Sequence, residues 1–186
     1  MTQQVSASTI LVCLHLIQTQ TTNRVFNHVA VSVPDCKAAV AWYSKVFGFE
    51  LVGNQIHHIA RSSRPTDPIF SIYPASLQEV NMAYMSTGNG VGFEVFEFTD
   101  PKSFVPQQEG GFEYYRGGFF HVCVTDSEPD GLAERIVEAG GRRIGTTVHP
   151  VKGVVCLYAA DPWGNVVEVL DASFDRMATL ASKGKR

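Results

Sequence analysis

The feature that most constrains this chain is that it repeats itself. Phe26-Asn27-His28-Val29-Ala30-Val31 and Phe119-Phe120-His121-Val122-Cys123-Val124 both read F-x-H-V-x-V. Both alternate as half-buried strands do. An acidic cap region and a helical stripe follow each one. In the first copy Asp35 can cap, Ala38, Ala39, Trp42, Tyr43, Val46 and Phe47 form the stripe, and Gly48 stops it. In the second copy Asp126 and Ser127 stand at the start, Leu132, Ala133, Ile136 and Val137 form the stripe, and Gly140-Gly141 stops it. Three strand-like runs follow each helix. They are Phe49 to Val52 with Gln55 to Ala60, Val80 to Met85 and Val91 to Phe98, then Arg143 to Thr147, Val154 to Ala159 and Val166 to Leu170. The pattern predicts an α+β fold of two βαβββ modules.

The module boundaries follow from the same register. The first module spans 24–100 and the second 119–172. They are joined by a linker over 101–118, preceded by an extension over 1–23 and followed by a tail over 173–186, of which Ala178 to Arg186 are expected to fray. Gly-Asn turns, Gly88-Asn89 and Gly164-Asn165, precede Glu94 and Glu168. The first module runs longer between its His and its Glu. The excess is assigned to an insertion at about 61–78, with Pro65, Pro68 and Pro74, of the kind that often forms a functional loop.

Composition narrows the partners. Lys and Arg number 15 against 18 Asp and Glu, a formal charge of −3, which does not suit a nucleic-acid surface. The four cysteines, Cys13, Cys36, Cys123 and Cys156, include no C-x-x-C pair, so neither a disulfide scaffold nor a cysteine zinc site is expected. No apolar run is long enough to span a membrane, and no basic residue precedes the apolar run Ile10 to Ile17, so a cytoplasmic protein is expected.

His28, Glu94, His121 and Glu168 occupy matching places in the two copies, each in an apolar strand. Taken singly, such a His is more often a hydrogen-bonded core residue, and such a Glu a partner for a surface Arg. Jointly, the same two residue types at equivalent positions of a repeat favour a metal site. A buried carboxylate is costly unless paired or metal-bound, and two imidazoles with two carboxylates suit one divalent ion such as Zn, Ni, Mn or Fe.

The stretches FNHVAVSVPDCKAAVAWYSKVFGFELV, GVGFEVFEF, FFHVCVTDSEPDGLAERIVEAGG and LYAADPWGNVVEVLD resemble the vicinal oxygen chelate superfamily, the glyoxalase, bleomycin-resistance and extradiol-dioxygenase group. The resemblance covers about residues 24–172, and D-P-x-G-N-x-x-E is its most specific piece. It implies paired mixed sheets forming a cleft with a metal at its floor, held by His28, Glu94, His121 and Glu168. It also implies a metal-dependent, glyoxalase-like lyase or isomerase acting on a small organic substrate with vicinal oxygens through an enediolate-type intermediate. Glu94 or Glu168 would then be both ligand and base.

Two other readings belong to the same family. An extradiol ring-cleaving dioxygenase would hold Fe(II) through His28, His121 and Glu168, with His149 and Tyr158 as acid/base groups, and Glu94 would be superfluous. A non-catalytic small-molecule binding protein would tend to lack the ligands that this chain keeps. The resemblance further implies a homodimer, and the N-terminal apolar segment is a candidate cover for an open sheet edge. The aromatic run Phe112 to Tyr115 and Trp163 could line the cleft, although packing within the linker and turn is the more economical reading for each.

Overall fold

The computed structural model describes residues 24–104, 112–115 and 117–183. The expectations for residues 1–23, for parts of the linker and for Cys13 lie outside the described residues. The first module is β1 (His28–Ser32), α1 (Cys36–Phe47), β2 (Glu50–Ala60), a short α2 (Ile69–Ile72), β3 (Glu79–Ser86) and β4 (Gly92–Asp100). The second is β5 (Val122–Thr125), α3 (Pro129–Glu138), β6 (Arg142–Val151), β7 (Val154–Ala160) and β8 (Val166–Leu170), followed by α4 (Phe174–Lys183). Each module forms one four-stranded mixed sheet, ordered β1-β4-β3-β2 and β5-β8-β7-β6. The two first strands run parallel to β4 and β8, and the other pairings are antiparallel. The α+β fold of two βαβββ modules expected from the repeat is therefore present.

Local chemistry sets the helix ends. The Asp35 carboxylate accepts from the N–H of Ala38 at 2.8 Å, and Glu97 accepts from the N–H of Cys36 at 3.1 Å, so two of the free amides at the start of α1 are satisfied. Gly48, at φ 71°, closes α1 by donating to the carbonyl of Ser44. In the second module Pro129 opens α3. Gly141 must be glycine for space, because a Cβ there would lie 2.5 Å from the Ala160 carbonyl oxygen.

The helix-covered faces of both sheets merge into one core. Val40, Tyr43 and Val46 of α1 and Leu132, Ala133 and Ile136 of α3 pack with Val95 and Phe93 of the first sheet and Leu157, Val167 and Val169 of the second. Polar contacts join the halves inside this core. The Trp42 indole N–H donates to the Ala139 carbonyl at 2.9 Å, and the Tyr43 hydroxyl donates to Asp161 at 2.7 Å. Trp163 packs against Trp42 and Tyr43 here, so it belongs to the seam between modules rather than to an open cleft.

The opposite faces, which carry the predicted His and Glu residues, are covered at one end only. On the first sheet the insertion folds back as α2, and Ile69, Phe70 and Leu77 pack onto Val80, Met82 and Phe96. On the second, Met177 and Leu180 of α4 pack onto Val154, Cys156 and Leu170. Residues 61–78 contribute a helix and a satellite core, and in the tail α4 sets two side chains against an apolar sheet face. The two runs after α1 are one strand, β2, bulged between Leu51 and Ile56 where Gly53 and Asn54 take positive φ.

Asp161 is the buried charged residue of the described core, at 3% exposure. It accepts from Tyr43, from the N–H groups of Trp163 and Asn165 and from the Asn165 side chain, at 2.7–3.0 Å. Hydrogen bonds to a charged group contribute about 1.5–3 kcal/mol each. Tyr43→Phe should lower the unfolding free energy by about that much, measured by urea denaturation. Asp161→Ala should cost more, because it strands several buried donors. A Tyr43→Phe protein within about 0.5 kcal/mol of the parent would contradict this account of the seam.

Candidate metal centre

Register decides which side chains meet. On the first sheet Ala30 pairs with Glu94 and Tyr84 with Glu94, so Ala30, Glu94 and Tyr84 form one cross-strand row. His28 stands two residues before Ala30 and shares its face. On the second sheet Cys123, Glu168 and Tyr158 form the matching row, with His121 two residues before Cys123. In each half the His imidazole meets the Glu. His28 Nε2 lies 3.5 Å from Glu94 Oε2, and His121 Nε2 lies 3.1 Å from Glu168 Oε2.

Gly92 sits directly beside His28, where a Cβ would come within 3.1 Å of the His28 Cβ. The glycine leaves the imidazole its room. His28 Nδ1 lies 2.7 Å from Asn27 Oδ1. His121 is held differently. Phe120 and Tyr158 contact its ring edge-on at 4.5 and 5.4 Å, and its buried Nδ1 has no hydrogen-bond partner among the described residues.

Glu168 has further neighbours. The Cys156 thiol donates to its Oε1 at 3.0 Å. Burial, reinforced by the nearby Glu168 carboxylate, pushes the Cys123 and Cys156 thiols and the Tyr158 hydroxyl up to about 12, so all three stay protonated donors.

Taken alone, each half offers two donors at the spacing of ligands to one divalent ion. Ligand atoms roughly 2.0–2.2 Å from a shared ion, at tetrahedral to octahedral angles, stand roughly 2.8–3.6 Å apart. Both His–Glu pairs have that spacing. Among the described residues, however, no three His, Cys, Asp or Glu side chains converge on one point, so the expected four-donor set is not brought together. His149 joins neither pair. Val148 pairs with Cys156 on the Glu168 side of the sheet, and His149 is exposed and acts electrostatically on Asp130 of α3. Tyr158 does stand beside Glu168. Tyr84 is its equivalent in the first module. The sequence reading overlooked it, although both tyrosines fall ten residues before their Glu.

A cavity of about 520 Å³ opens between β1 and the segment leading into β5. Val29, Val31, Phe112, Phe120, Val122 and His121 are among its walls. The ring of Phe112 also packs against Phe120 and Tyr158, so part of the linker does line the cavity.

Residues 25–169 match the Glyoxalase/Bleomycin resistance protein/Dioxygenase superfamily, and the chain belongs to that family. No curated protein matches it. Solved structures share the fold. A glyoxalase family protein from Bacillus cereus superposes with a TM-score of 0.62 at 16% identity, over 81% of this chain and 96% of that one. The fosfomycin resistance protein FosX from Listeria monocytogenes, in complex with Mn(II) and 1S,2S-dihydroxypropylphosphonic acid, gives 0.53 at 14% identity, over 84% and 99%. A glyoxalase I mutant from Zea mays gives 0.52 at 19% identity, over 80% of this chain and 44% of that one.

The raised thiols predict an alkaline instability. A group whose folded pKa lies above its unfolded value contributes stability that is complete below the unfolded pKa and is lost as pH rises through the folded one. Cys36, Cys123 and Cys156 rise from 9.0 to about 12, so stability should be steady to neutral pH and fall between 9 and 12. Urea midpoints measured across that range should fall less steeply in Cys36→Ala, whose thiol is buried away from the His–Glu pairs. An identical slope in parent and variant would contradict the assignment.

Proposed function

We propose that the protein is a metal-dependent lyase or isomerase acting on a small organic substrate with adjacent oxygens. The observation that carries the reading is the pair of equivalent His–Glu contacts, one on each sheet, each at the spacing of two donors to one ion. His28, Glu94, His121 and Glu168 would hold a divalent ion such as Zn, Ni, Mn or Fe. Such an ion, when bound, supplies Lewis-acid polarisation of substrate oxygens. The chain's own residues would do the rest. A carboxylate oxygen of Glu94 or Glu168 takes a proton from the carbon next to a substrate oxygen and returns it to a neighbouring atom. Tyr158, protonated at neutral pH, donates a hydrogen bond beside Glu168. Phe112 and Phe120 line the cavity.

The dioxygenase reading draws support from Tyr158 beside His121 and Glu168. It draws none from His149, which stands near Asp130. Glu94, paired with His28 as Glu168 is with His121, favours four donors over three. The proposal includes a homodimer, since β2 and β6 are edge strands outside the cavity that a second copy could cover. No helix among the described residues is long and apolar enough to cross a membrane. The unpaired thiols Cys36, Cys123 and Cys156 suit a cytoplasmic setting.

Metal analysis of protein purified without added metal tests the proposal. One divalent ion per chain is expected, with binding weakened at least about tenfold in His121→Ala and in Glu94→Gln. Parent-like metal binding in both variants would overturn the ligand assignment. Oxygen uptake with a catechol that survives Glu94→Gln and dies with His149→Ala would establish the dioxygenase instead.

A further inference from the structure

The first strand meets the cavity along its edge. Val29, Ala30, Val31 and Ser32, four consecutive residues of β1, all line it. Successive residues of a strand point to opposite faces, so a cavity that touches all four touches the backbone between them. This strand is also an edge of its sheet, paired with β4 alone. Two bonds fix which of its backbone groups face outward. The Asn27 carbonyl accepts from the Gly92 N–H, and the Val33 N–H donates to the Phe96 carbonyl, both at 2.8 Å. In a parallel pair a residue's N–H and C=O turn to the same side, and the side alternates along the strand. Residues 29 and 31 therefore turn their backbone groups to β4, and Ala30 and Ser32 turn theirs to the cavity.

The outward groups form a defined pair. A carbonyl at one residue and an N–H two residues on are what a neighbouring strand engages through a single residue. The same acceptor and donor match a flat ring that carries N–H and C=O on adjacent atoms. The cavity favours the ring. Its volume of about 520 Å³ falls within the roughly 300–1,000 Å³ of small-molecule sites. Phe112 and Phe120 also line it, with ring centroids 6.0 Å apart, and aromatic side chains pack well against other flat rings.

The geometry points to a ligand with a flat cis-amide edge, a lactam, imide or aminoazine ring. Its N–H donates to the Ala30 carbonyl, and its C=O or ring nitrogen accepts from the Ser32 N–H. The ring packs against Phe112 and Phe120. The inference rests on the reading above in taking this cavity as the substrate's, and it deepens that reading by naming the substrate class. It uses no bound ion. His121 lines the same cavity, so a ring held on β1 occupies the space that the His121–Glu168 pair borders.

The test is calorimetric titration of the full chain, without added metal, with 2-quinolone and N-methyl-2-quinolone. The first carries N–H beside C=O on a flat bicyclic ring, and the second has that N–H replaced by a methyl group. 2-Quinolone should bind at least about tenfold more tightly, because the methylated ring leaves the Ala30 carbonyl without its donor. Ser32→Ala keeps the backbone N–H and should stay within about threefold of the parent. Ser32→Pro removes that N–H, and no bond to β4 goes with it because the group points the other way. Its affinity for 2-quinolone should fall at least about fivefold. Phe112→Ala should weaken both probes together. Circular dichroism checks folding. Should Ser32→Pro not fold, the Ser32 amide resonance of the parent, which should shift on titration with 2-quinolone, reads the same contact. Equal affinities for the two probes, no binding of 2-quinolone, an unmoved Ser32 amide, or parental affinity in folded Ser32→Pro would overturn the inference. So would an uncharged tetrapeptide amide that displaces 2-quinolone and binds more tightly, because the edge would then take an extended chain. The lyase or isomerase reading stands or falls separately, on the metal analysis.

Discussion

A carboxylate enclosed in an apolar core is costly unless every lone pair is engaged, and Asp161 meets that demand with four donors. Three come from its own turn, Asp161 to Asn165. The fourth is Tyr43, from the helix of the other module. The turn places β8, and β8 places Glu168. Helix α1 lies on the sheet that carries Glu94. One buried acceptor thus ties the strand of one proposed ligand to the helix behind the other. Burial and the Asp161 charge hold the Tyr43 hydroxyl well above the ordinary tyrosine range, so the donor stays protonated at any pH where the fold survives. The corresponding turn of the first module has Thr87, whose hydroxyl bonds locally to Asn89 and Val91. The seam is one-sided, although the modules are alike.

Because the seam lies on the helix-covered faces, the other face of each sheet is left for chemistry. The insertion covers that face on the first sheet and α4 on the second, each at the end away from the His–Glu row. Helix α4 is the looser cover. None of its residues is buried, and its two packed side chains contribute a few kcal/mol at most. The uncovered end of the second sheet leaves His121 at the wall of the cavity between the modules.

Much of this was legible in the sequence because repetition makes weak signals joint. One His on a strand says little, whereas two at equivalent positions, with two Glu to match, single out the row that the sheets then form. The length difference between the copies located the insertion. The Tyr43–Asp161 contact was not legible, since 118 residues separate its partners and neither copy repeats it. Nor did motif spacing reveal that His149 lies off the site: Val148 pairs with Cys156 on the Glu168 side, which puts His149 on the other face, and the two-residue slip of β6 between Ile144 and Val148 leaves that alternation intact. The tail helix was not legible because its composition is small and basic, and the apolar sheet face it packs on is supplied only by the fold.

The central claim is that both modules contribute an imidazole to one ion. X-ray absorption of the full chain loaded with one equivalent of Zn(II) tests it most directly, since outer-shell scattering counts imidazoles and distinguishes sulfur from nitrogen and oxygen ligands. The account predicts two imidazoles with oxygen donors, no sulfur, and the loss of one imidazole in His28→Ala and in His121→Ala. A first shell with a single imidazole in the parent, or one containing sulfur, would contradict it.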